Sequence, residues 1–294
     1  MTSLTRPPQL LEPLADLPAW VAHFRAAPIA VLRGTSDALE GLRANEDRTD
    51  ANSIGELIAG DPLMTLKVLA HASEQRGSRT LTRAETVTSA LVMMGISPFF
   101  GAFGLQESVE DHLALEPAAL EGLNRVMRRA HRGADFALGF AIHRTDPHAA
   151  AIHAAALLHE FAEMLLWLHA PALALRIQQH QNNDSSLRST VAQREVLNVG
   201  LADLQAALVD VWALPLLLTQ MREKLRTDNS GVRTVALGAR LARHTANGWD
   251  NVAIPDDIAE IAELLNLSPQ SAFHLTQEIE QVVVPSSKLL NGEE

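Results

Sequence analysis

The chain contains no cysteine. That absence removes disulfide scaffolds, thiolate zinc sites and cysteine nucleophiles together. Basic residues are also in deficit, with 24 Lys and Arg against 35 Asp and Glu and a formal charge of −11. A general nucleic-acid binder or a protein held on a membrane surface needs the opposite balance. No apolar run is expected to reach the roughly 18–20 residues that span a bilayer. The opening MTSLTRPPQLLEPL carries three prolines and no apolar core of the kind a secretory leader has. A repeat of about 20–50 residues, the mark of a solenoid, is missing. The expectation is a soluble, cytoplasmic protein of 294 residues, long enough for one or two domains.

Strand signals are nearly absent, and helix starts recur. Ser53 with Glu56 reads as a capping box before Ile54, Leu57 and Ile58. Asp61-Pro62 reads as an N-cap followed by proline in the first turn. Thr82 with Glu85 reads as a second capping box, ahead of Val87, Ala90, Leu91 and Met94, and Gly95 closes that helix. The longest stripe, Leu120 to Ala141, begins at Pro117. Further stripes run over Leu197–Val211 and over Val232–Ala242, the latter closed by Asn247-Gly248. The segments 43–52 and 178–189 are polar and read as loops. The fold expected is an all-α helical bundle, divided into an N-terminal helical subdomain over 1–115 and a second over 116–294.

One stretch stands out. Ile152–His169, IHAAALLHEFAEMLLWLH, is apolar around most of its girth and reads as a single helix buried on several sides. Set into it are His159 and Glu160, an ionisable pair that is costly to bury unless satisfied. His159 and Glu163 would share a face at i, i+4, with Glu163 as a structural partner of His159. The run His159-Glu160-x-x-Glu163 comes within one residue of the zincin H-E-x-x-H but lacks its second histidine. His143, His148 and His153 read as a solvated corner, and His169 as a helix end facing the C-terminal dipole. Arg128, Arg129 and Arg132 form the local basic cluster, read as a solvated face that can also hold a phosphate or a partner's carboxylates.

Four segments in order carry a resemblance: SIGELIAGDPLMTLKVLAHAS, RTLTRAETVTSALVMMGISPF, AAIHAAALLHEFAEMLLW and DVWALP. Together they resemble the HDOD family, which is similar to the HD-superfamily metal-dependent phosphohydrolases and is regarded as a set of non-catalytic signalling modules. The resemblance implies an HD-like bundle and a site at His131, His159 and Glu160. Glu160 stands where the family's parent has Asp, Ala239 where it has its last Asp, and Leu201 at a common His position. The segment after Trp212 lacks the paired histidines of catalytic relatives. The positions His131, His159 and Glu160 are therefore expected to be vestigial, with no metal, no catalytic residue and no cofactor. The function expected is binding of a signalling partner protein or a small nucleotide-type ligand. The alternative is a metal-dependent phosphohydrolase acting on a nucleotide or cyclic dinucleotide through His131, His159 and Glu160.

Overall fold

Every regular element among the described residues of the computed structural model is helical; these residues are 9–75, 83–184, 186–222 and 229–283. The first group comprises α1 (Leu17–Ala26), α2 (Arg33–Arg43), α3 (Ala51–Ala59), α4 (Pro62–Glu74), α5 (Val87–Met94), α6 (Ile96–Ala102) and α7 (Val109–His112). Then come α8 (Pro117–His143), α9 (Ala149–Leu157), α10 (Phe161–His169), α11 (Pro171–Asn183), α12 (Ser189–Leu197) and α13 (Leu201–Val211). The series ends with α14 (Leu216–Arg222), α15 (Ser230–His244), α16 (Ile254–Leu265) and α17 (Pro269–Val283). A single parallel bridge, Val31 to Ser108, clips the chain before α2 to the chain before α7. The all-α expectation holds.

Local chemistry explains most of the starts. Asp61 caps α4, its carboxylate accepting from the amides of Leu63 (2.9 Å) and Met64 (3.0 Å). Its second oxygen accepts from the Leu32 amide at 2.8 Å, so one fully buried carboxylate joins two helix starts. Lys67, on the same helix, donates to the Ile29 carbonyl at 2.8 Å and to Gln106. Two expected caps move. Asp50, not Ser53, caps α3 and accepts from the Ser53 amide at 2.8 Å. Thr86 with Ser89 forms the capping box of α5, while Thr82 lies outside the described residues. Gly95 ends α5 as expected, at φ +89°.

One stripe that reads as continuous is broken. Leu197–Val211 splits at Asn198, which adopts the left-handed conformation at φ +65° and separates α12 from α13. Of the polar segment 178–189, the first part extends α11 to Asn183. The SSKLLNGEE tail lies outside the described residues.

One buried cluster runs from Trp20 to Val235 and takes in α8, α9 and α10. A second gathers Phe136 and Phe140 of α8 with Leu237 and Leu241 of α15, and with α16 and α17. α8 is the shared spine. Its Gly133 lies against Ala239 of α15, where an added Cβ would sit 3.2 Å from the Ala239 Cα. A Cβ on Gly238 would lie 2.6 Å from the Gly133 carbonyl, so the two helices meet backbone to backbone. Contrary to the sequence expectation, one stretch, Ala149–His169, is long and apolar enough to cross a membrane by length and composition. Yet 61% of that window is buried inside the protein, and it is not one helix.

Candidate functional site

The break in that stretch is where the site lies. α9 ends at Leu157 and α10 begins at Phe161, leaving Leu158, His159 and Glu160 in a turn. The His159 amide bonds the Ala156 carbonyl at 3.1 Å, an i→i−3 closure that tightens the last turn. Interrupting a buried helix strands backbone groups that must find partners. Gln205 of α13 supplies two of them: its amide nitrogen donates to the His159 carbonyl, and its oxygen accepts from the Ala162 amide at 3.4 Å. The bend points His159 and Glu160 away from the course a straight helix would give them. It also removes the i, i+4 register between His159 and Glu163.

Glu160 is held by two guanidinium groups. Arg129 Nε of α8 lies 2.6 Å from one carboxylate oxygen, and Arg243 of α15 lies 3.2 Å from the other. A second Arg129 nitrogen, Nη2, reaches Glu163 at 2.8 Å. Glu163 is therefore the partner of Arg129 and not of His159, which corrects the reading from spacing. Two arginines and two glutamates form this network, so its charges balance. Arg129 and Glu160 keep only 18% and 15% of their side-chain surface exposed, enough burial to strengthen the attraction well beyond that of a surface pair.

The pKa shifts follow from this packing. Burial works against the Arg129 charge, but Glu163 and Glu160 outweigh it and raise its pKa. Burial likewise opposes ionisation of Glu160, but the pull of Arg129 and then Arg243 carries it below the usual range. Glu163 moves the other way: burial, with Glu160 beside it, pushes it up despite Arg129. His159 is depressed, chiefly by burial, and its Nδ1 is buried with no hydrogen-bond partner among the described residues.

His131 is elsewhere. It lies two residues beyond Arg129 on α8, a rotation of about 200° on an α-helix, and so on another face. Its electrostatic neighbour is His153 of α9, and burial together with that neighbour pushes its pKa down to about 4. The structure thus brings His159 and Glu160 together with Arg129, and groups His131 with His153. His153 leaves the solvated corner assigned to it: its ring is largely buried and its pKa depressed, while His143 and His148 are exposed. The basic cluster on α8 also resolves into separate roles. Arg128 pairs with Glu121 at 2.7 Å near the surface, and Arg132 with Glu280 of α17 and the Thr245 hydroxyl. None of the three is a free solvated cation. Trp212 packs a helix end as expected, buried against Phe161 at 6.0 Å between ring centroids.

From the sequence alone Arg129 belongs to a solvated face, and no local motif marks Arg243 or Gln205. Each acts through a residue on another helix, and which face of α8 meets the site shows only once α10 is placed.

The HDOD domain model matches residues 39–225, and the chain belongs to that family. No curated protein matches it. Among solved structures it is similar to the MmoQ response regulator from Methylococcus capsulatus, with a TM-score of 0.62 at 16% identity over 85% of this chain and 98% of that one. It is also similar to a virulence factor from Campylobacter jejuni, with a TM-score of 0.59 at 15% identity over 90% of this chain and 99% of that one. At such identities the likeness is one of fold. HDOD is a domain related to the HD superfamily.

Proposed function

We propose that this protein is a regulatory module of a signalling pathway that works by binding a partner protein or a small nucleotide-type ligand, in the cytoplasm and without turnover. One observation carries the reading: the Glu160 carboxylate, at the position of a metal-ligating Asp, is engaged by two guanidinium groups. A divalent cation that activates water needs several ligands converging on it and one open position. This donor set fits such an ion poorly. Glu160 is committed to Arg129 and Arg243, and His131 points from another face of α8. Ala239, where the family's parent has its last Asp, lies on the backbone seam between α8 and α15. No group of three or more His, Asp or Glu side chains among the described residues is arranged to hold a metal.

The test is metal uptake by protein purified without chelator. The expected result is no stoichiometric metal, no thermal shift with manganese, iron or nickel, and no phosphodiesterase activity above background. One bound transition metal per chain, lost on His159→Ala, would overturn the proposal in favour of a phosphohydrolase.

A further inference from the structure

At the far end of α10 from Glu163, three histidines from different parts of the chain meet. His169 closes α10, His23 sits in the last turn of α1, and His112 closes α7. Their rings pack edge to face, with centroids 6.1 Å apart for His23 and His169 and 5.9 Å for His112 and His169. With Gln9, Ala26, Ala27 and Pro28 they line a cavity of about 190 Å³. At about 30 Å³ per water molecule in the liquid, that is room for roughly six waters, or a ligand of a few carbon atoms.

The polar atoms there are unusual in having nothing to bond. His23 Nε2, His169 Nε2 and the Gln9 side-chain nitrogen are all buried without a hydrogen-bond partner among the described residues. His169 as a whole is 5% exposed. Buried polar groups are nearly always paired, so three orphans on side chains that line one cavity call for an explanation. His112 is committed instead. Its Nδ1 lies 3.0 Å from the Glu107 carboxylate and its Nε2 3.2 Å from the Leu168 carbonyl. Both of its ring nitrogens thus have an oxygen neighbour outside the cavity lining.

We propose that this cavity is a binding site for a small oxyanion, a short carboxylate or inorganic phosphate. Gln9 supplies amide N–H donors, and His23 and His169 donate as their Nε2–H tautomers. No carboxylate lines the cavity. Burial first, then His112 and His23, push the His169 pKa down to about 3, so its ring is neutral at pH 7 and can carry its proton on Nε2. A transition metal fits less well, because such sites take at least three protein ligands and no group of three such side chains among the described residues is arranged to hold one. An apolar ligand would leave all three nitrogens unpaired. Gln9 and His23 precede the matched family segment, so the site joins this chain's own N-terminal region to the family core. It does not rest on the regulatory reading of Glu160.

The experiment is calorimetric titration of the full chain with sodium phosphate, malonate and malonamide, beside spectra of the ¹⁵N-labelled histidines. Saturable 1:1 binding of phosphate or malonate is expected, but not of neutral malonamide, with Nε2 shifts confined to His23 and His169. Which anion binds separates the two sources. His23→Leu and His169→Phe should each weaken binding by about tenfold or more, the effect of one charge-assisted hydrogen bond. The exposed His180→Gln serves as the control and should bind as the parent does. The histidine spectra of the unaltered protein keep the test valid should a variant fold poorly. Any of three results overturns the proposal: no saturable binding of either anion, malonamide binding as well as malonate, or zinc taken up stoichiometrically with coordination shifts at His23 and His169.

Discussion

Replacing Arg129 by methionine tests the network most directly. The change keeps much of the aliphatic stem and deletes the charge, so Glu160 retains only Arg243 at 3.2 Å and Glu163 loses its ion-pair partner. Removing one partner of a fully buried pair costs about 3–5 kcal/mol, because the other charge stays desolvated. Here Glu163 is 32% exposed and Arg243 remains, so the expected loss at pH 7 is about 2–3 kcal/mol. For a chain of this size that corresponds to a fall in Tm of roughly 5 °C or more.

The penalty must also depend on pH. Without Arg129 both carboxylates rise in pKa in the folded state, so the folded variant binds protons more readily than the unfolded chain. Stability of the variant is then lost as pH rises through the unfolded and then the folded values, and the gap to the parent is largest at neutral pH. Once the pH is low enough to protonate Glu160 in the folded parent as well, both groups are neutral in either state, and only about 1 kcal/mol of lost hydrogen bonding remains. Urea unfolding of both proteins from pH 4 to 7.5 measures this. A second substitution, Glu160→Gln, should recover part of the loss in the Arg129→Met background. A uniform loss below about 1 kcal/mol at every pH would refute the reasoning, since values of that size belong to solvated surface pairs.

Other perturbations probe the frame around the network. Asp61→Ala should destabilise by about 2–4 kcal/mol in urea melts, combining a lost N-cap with an orphaned Leu32 amide, and Asp61→Asn should lose less. Burial raises Asp135 to about 6, so its folded form binds a proton more tightly than the unfolded chain and stability falls as pH rises from about 4 to 6. Asp135→Asn should therefore stabilise the protein above pH 6, by about 1–2 kcal/mol after allowance for partial exposure, and change little below pH 4. Gly238→Ala would put a Cβ 2.6 Å from the Gly133 carbonyl, and a loss of about 3 kcal/mol, read from thermal unfolding, is expected as α8 and α15 separate.

Much of the fold can be read from the sequence because helix starts are local. Asp61-Pro62 and Pro117 declare themselves within a turn, and the stripe on α8 needs no distant partner to be seen. Local reading fails where two caps compete or where a remote side chain decides. Asp50 and Ser53 are both capping residues three apart, and which of them ends free depends on where α3 packs. The stretch Ile152–His169 has the composition of one helix. It bends because Gln205, far along the chain, satisfies the groups that the bend frees. Three histidines at positions 23, 112 and 169 cannot be seen as neighbours before the fold places them.

The same limit applies to the site. Matching the family pattern put weight on His131, whereas geometry puts it on Arg129, two positions earlier. A guanidinium neutralises two carboxylates much as a divalent cation would, but it stays protonated and fixed to its helix. It also offers no exchangeable position where a water could be activated. On the proposed reading, Arg129 and Arg243 hold Glu160 and Glu163 at the junction of α8, α10 and α15 and replace a coordination sphere with a closed, charge-balanced clasp. On that reading, what a catalytic relative needs open, this chain has closed. On the same reading, a response to a ligand would reside in surfaces and cavities away from Glu160, and the histidine-lined cavity at the other end of α10 is one such place.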